Sequence, residues 1–112
     1  MDLTRQIGSL IIVGFSGTQI TADAELVRDI RIYGLGGVIL FNRCLHDPQQ
    51  SGNIGPASRL TQLTAALQDI SPEPLLICVD QEGGAVQRLG PDNGYPAIPA
   101  ARQMAAPAED TS

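Results

Sequence analysis

Three uninterrupted apolar runs, each bounded by glycine or proline, constrain this chain most: SLIIVGF (Ser9 to Phe15), GGVILF (Gly36 to Phe41) and PLLICVD (Pro74 to Asp80). They are rich in Ile, Val and Leu and show no polar alternation, which suits strands covered on both faces. Two helical patterns separate them. Thr21 or Asp23 can cap the first, and Leu26, Val27, Ile30 and Tyr33 recur at helical spacing before Gly34 ends it. Pro56 can start the second, where Leu60, Leu63, Leu67 and Ile70 form one stripe before Ser71-Pro72 stops it. A weaker helical stretch follows around Ala100 to Ala106.

The order β-α-β-α-β makes two consecutive βαβ units, which pair their strands in parallel. The predicted fold class is therefore α/β, as the first part of a (β/α)8 TIM-type barrel plus the start of a further helix. Eight such repeats fill the roughly 250 residues of a barrel, and residues 1–112 are read as one partial barrel domain holding about its first three strands. A small open α/β domain is the alternative. Three parallel strands with two helices leave apolar surface uncovered, which favours the partial barrel.

Composition narrows the partners. Hydrophobic residues make up 43% and charged residues 17%, the balance of a chain that packs a core. Formal net charge is −5, and the seven basic residues are all arginines scattered singly, so no basic patch exists for a nucleic-acid backbone. No apolar run approaches the length of a membrane span, and the run Leu10 to Val13 is too short for a signal peptide. Cys44 and Cys78 fit neither a C-x-x-C site nor a disulfide framework and read as reduced, which points to a soluble, cytoplasmic protein.

Ligands of parallel α/β proteins bind at the carboxyl ends of the strands. Three loops sit there: Ser16 to Gln19, Asn42 to Asp47, and Asp80 to Arg88. In the third, Asp80 ends its strand as a carboxylate able to accept from ligand hydroxyls. Gln81, Glu82, Gly83 and Gly84 form a supporting loop whose glycines allow a sharp turn, and Arg88 can fold back to Asp80 or to the same ligand. The competing reading makes Asp80 and Glu82 caps of a following helix and Arg88 part of a surface pair.

Asp80 and Glu82 do not suit the acid and nucleophile of a glycosidase. Their Cα atoms lie about 6.6 Å apart in an extended chain, but neighbours on one strand end approach a sugar from one side, whereas the two groups must flank the scissile bond. The glycines at Gly34, Gly36 and Gly37 precede a strand and do not spell a dinucleotide fingerprint. Cys44 and His46 lack the further ligands a metal needs and read as solvated loop residues. No cofactor and no metal are expected.

Four segments carry a family pattern: IGSLIIVGFSG (Ile7 to Gly17), LGGVILFNR (Leu35 to Arg43), DQEGGAVQRL (Asp80 to Leu89) and YPAIPAARQMA (Tyr95 to Ala105). In this order they resemble the N-terminal part of a glycoside hydrolase family 3 catalytic domain, in its bacterial β-N-acetylhexosaminidase branch. The resemblance implies a TIM-type barrel whose full domain removes terminal β-linked N-acetylglucosamine with retention, in carbohydrate or cell-wall metabolism. It implies that Asp80 and Arg88 bind hydroxyls of a small sugar substrate. Relatives often carry arginine at the position of Ala85, which implies one polar contact fewer here.

The family's K-H-F-P-G-H-G segment, its catalytic histidine and its nucleophilic aspartate have no counterpart in this sequence. None of the residues here is therefore assigned a catalytic role. The expectation is a hydrolase by family whose chain supplies sugar-positioning groups, is inactive alone, and needs the remainder of the barrel. The rival is a non-catalytic carbohydrate-binding or interaction module using the same loop.

Overall fold

A computed structural model describes residues 2–20, 25–44 and 46–106. The chain opens with helix α1 (Leu3–Gly8), capped by the Asp2 carboxylate, which accepts from the Arg5 amide at 2.8 Å. Strand β1 (Ile12–Gly14), helix α2 (Glu25–Tyr33), strand β2 (Gly37–Leu40), helix α3 (Ala57–Ile70) and strand β3 (Leu76–Val79) follow. The three strands form one parallel sheet in the order β1-β2-β3. This is the α/β arrangement with which a (β/α)8 barrel begins.

The register sorts the strand residues onto two faces. Val13 pairs with Val38 and Val38 with Ile77; Leu40 pairs with Val79. These residues meet Leu26 and Ile30 of α2 and Leu63 and Leu67 of α3, with Ile54 and Leu75 closing the cluster. Val38, Ile30 and Leu67 are fully buried, each contributing about 1.5–3 kcal/mol by its removal from water. The opposite face carries the rows Ile12, Gly37, Leu76 and Gly14, Ile39, Cys78. Ile12 is 47% exposed and Leu76 62%, so this face has no covering layer among the described residues.

Two side-chain clasps fix the ends of these elements. Gln68 in the last turns of α3 donates to the Leu75 carbonyl at 2.8 Å and accepts from the Leu75 amide at 3.0 Å. It thereby sets where β3 begins. At the other end of the chain, Arg5 donates to the Arg31 carbonyl at 2.8 Å and pins α1 to α2. Gly8 lets that pair approach: a Cβ there would stand 1.8 Å from the Tyr33 carbonyl oxygen.

Several expectations change. The strands are shorter than the apolar runs, because Ser9 and Leu10 belong to the turn that leaves α1, and α1 itself was not expected. Helix α3 begins as expected, with Pro56 at its cap. The caps expected at Thr21 or Asp23 lie outside the described residues. Tyr33 does not join the buried stripe of α2 but is 44% exposed. The weak terminal helix is present as α4 (Ala101–Ala105), with no buried residue.

Candidate functional site

The alternation of β3 carries Leu76, Cys78 and then Asp80 along the uncovered face. On β2 it carries Gly37, Ile39 and then Phe41. Asp80 and Phe41 each follow the last register pair, Leu40 with Val79, so they stand side by side at the carboxyl end of the sheet.

Residues Asp80 to Arg88, expected as a loop that turns at its glycines, carry regular structure. They form an antiparallel hairpin, β4 (Gln81–Gly83) with β5 (Val86–Gln87). No helix follows for Asp80 and Glu82 to cap, which removes that reading. Gly83, the last residue of β4, and Gly84, the first of the turn, have φ of +81° and +60°, a region that strongly favours glycine. Gly83 also allows a close approach, since a Cβ there would lie 2.2 Å from the Pro99 carbonyl oxygen. The Gly84 amide donates to the Ile98 carbonyl at 2.8 Å, so the segment after the hairpin docks across its tip.

Two glutamines close the hairpin. Gln81 donates to the Leu89 carbonyl and accepts from the Leu89 amide, both at 3.0 Å. Gln87 donates to the Gly84 carbonyl at 2.7 Å and accepts from the Ile98 amide at 2.8 Å. Glu82 is exposed and takes no part in these contacts. Gln81 therefore braces the backbone beside Arg88.

The hairpin returns Arg88 to Asp80. The Arg88 amide donates to the Asp80 carbonyl at 3.4 Å, and Arg88 Nη2 stands 4.0 Å from Asp80 Oδ2. That is an ion pair without a direct hydrogen bond. The guanidinium lies over the Phe41 ring, 5.5 Å from its centroid, held by the ring's negative face. Its buried Nε has no hydrogen-bond partner among the described residues. The Asp80 carboxylate and the Arg88 guanidinium, with side chains 49% and 30% exposed, thus lie together at the end of the sheet beside an apolar ring.

Phe41 also borders a cavity of about 430 Å³ between the loops after β1 and β2. Phe15, Ser16, Arg43, Cys44, His46 and Gln50 contribute to its walls. Arg43 stands 3.7 Å from Asp92, joining this loop to the 3-10 turn at Pro91–Asn93. Cys44 and His46 bring no metal set together: among the described residues no group of three His, Cys, Asp or Glu side chains could hold an ion. No described helix is long and apolar enough to cross a membrane.

The sequence reading missed Asn53. Its side chain is 2% exposed; it donates to the carbonyls of Phe15 at 2.9 Å and Gly17 at 2.8 Å and accepts from the Phe41 amide at 3.1 Å. One carboxamide so ties the ends of β1 and β2 together. Its partners lie 12 to 38 residues away, and no local pattern signals such a contact.

Residues 2–111 match the family model described as "Glycosyl hydrolase family 3 N terminal domain". A beta-hexosaminidase of Xylella fastidiosa strain M23 is 37% identical over 90 residues, covering 80% of this chain and 23% of that protein. A glycoside hydrolase family 3 beta-N-acetylglucosaminidase from Paenibacillus sp. str. FPU-7 superposes with a TM-score of 0.73 at 32% identity, covering 89% of this chain and 17% of that one. NagZ from Neisseria gonorrhoeae, solved with N-trifluoroacetyl-D-glucosamine, gives 0.64 at 28% identity over 80% and 23% of the two chains. The chain spans about a quarter of the length of the curated relatives it matches.

Proposed function

From the premise that this chain belongs to the glycosyl hydrolase family 3 N-terminal domain family, we propose that it supplies the sugar-gripping edge of a retaining β-N-acetylglucosaminidase acting on terminal β-linked N-acetylglucosamine. Residues 1–112 form the first three strands of the barrel domain in this reading, and the remaining strands cover the exposed inner face. Cell-wall saccharides are its substrate class. Free Cys44 and Cys78 support a cytoplasmic setting.

The observation that carries the reading is the separation of Asp80 and Arg88. A sugar hydroxyl about 2.8 Å from each group fits a 4.0 Å gap. It donates to the carboxylate and accepts from the guanidinium, so both bonds are charge-assisted, at about 1.5–3 kcal/mol each. The Phe41 ring beside them offers an apolar surface to the sugar's C–H groups. Binding energy of this kind fixes the sugar relative to reacting groups supplied elsewhere.

Bond cleavage with retention requires a nucleophile and a separate acid/base on the two sides of the glycosidic bond. Asp80 is committed to the hydroxyl, and Glu82 follows it on the same strand end, so this chain positions the sugar and does not cleave it. The test pairs calorimetric binding of N-acetylglucosamine with hydrolysis of a chromogenic N-acetyl-β-glucosaminide. Saturable binding abolished by Asp80→Ala, with no turnover, is expected. Turnover by the chain alone, or binding indifferent to Asp80→Ala, contradicts the assignment.

A further inference from the structure

We propose that Asn53 is a positioning residue for the Asp80–Arg88 pair, acting through Phe41. Its importance for ligand binding rests on the function proposed above; its effect on Arg88 does not. The Asn53 carboxamide and backbone bracket the Phe41 main chain: Oδ1 accepts from the Phe41 amide at 3.1 Å, and the Asn53 amide donates to the Phe41 carbonyl at 2.8 Å. Nδ2 anchors this bracket to Phe15 and Gly17 across the sheet. Phe41 is thereby fixed one residue past β2, where its ring lies beneath the guanidinium.

The polar contacts of the Arg88 guanidinium are loose. Among the described residues its closest carboxylate oxygen is at 4.0 Å, and its Nε has no hydrogen-bond partner. The ring is a face-on contact against which the guanidinium rests, so a shift of Phe41 becomes a shift of Arg88. Only a carboxamide fits the Asn53 role: two carbonyls need donors from Nδ2 while one amide needs an acceptor. A carboxylate of the same shape would face the Phe15 and Gly17 carbonyls with no proton to offer.

The test is spectroscopic and uses the full chain. The Arg88 side-chain NMR signals should carry a ring-current shift from Phe41. Asn53→Asp should abolish that shift while the methyl signals of Val38 and Leu67 hold their places, and should weaken N-acetylglucosamine binding at least about tenfold. Phe41→Leu removes the ring and should abolish the same Arg88 shift, which identifies its source; Asn53→Ser, which introduces no charge but cannot bridge both carbonyls and the Phe41 amide at once, should reduce the shift and keeps the test decisive if Asn53→Asp fails to fold. An Arg88 signal unmoved in a folded Asn53 variant overturns the proposal. Should the unaltered chain bind no sugar while a folded Asn53 variant moves Arg88, the functional reading fails and the positioning role of Asn53 stands.

Discussion

The two faces of the three-stranded sheet are built from alternate residues of the same strands, yet they do different work. On one face Val38 and Leu40 are 0% and 3% exposed beneath α2 and α3. On the other, Ile12 and Leu76 are about half exposed or more, and the same rows run out into Phe41 and Asp80. The covered face holds the fold together. The uncovered one delivers Phe41 and Asp80 to the sheet's end, because whatever extends its rows emerges at the carboxyl end of the strands.

Substitutions matched across the sheet give the largest contrast. Leu67→Ala, on the covered side and fully buried, should cost about 2–5 kcal/mol. Leu76→Ser, on the other side, should change stability by less than about 0.5 kcal/mol, as exposed positions do. Urea midpoints measure both, and equal losses would show that the inner face is covered in solution.

A smaller effect is expected where the hairpin meets its neighbours. Gly83→Ala places a methyl against the Pro99 carbonyl and strains a φ of +81°, at about 1–3 kcal/mol. Its signature is loss of hydrogen-exchange protection at the Gly84 amide, which the Ile98 carbonyl now holds. Protection that survives the substitution would mean the docked segment does not depend on this approach.

The smallest effect belongs to the clasp behind Arg88. Gln81→Leu removes two 3.0 Å hydrogen bonds to Leu89, at about 1–2 kcal/mol. It should leave the Leu67 face unchanged by amide exchange while loosening residues 86–89. Spread of the exchange changes into α3 would join the two faces into one cooperative unit.

How far these features were legible in the sequence follows from the range of the contacts involved. The three strands and α3 announce themselves through local runs and a stripe at Leu60, Leu63, Leu67 and Ile70. Gly83 and Gly84 announce a turn, and Arg88 falls at the spacing that returns it to Asp80. The hairpin itself did not show, because strands of three and two residues carry no alternation; Gln81 and Gln87 hold it through backbone groups. Helix α1 escaped because its Leu3 and Ile7 are exposed and make no buried stripe. Asn53 reads as an ordinary loop residue until folding brings Phe15, Gly17 and Phe41 around it.

The most direct measurement is a backbone-amide NMR titration of the chain with N-acetylglucosamine, mapped onto the two faces. Saturable shifts confined to the carboxyl end of the uncovered face, at Phe41, Asp80 and Arg88, and lost in Asp80→Ala, are the expected result. Shifts centred on α2 and α3, or none at any attainable sugar concentration, would contradict the assignment of that face to the sugar.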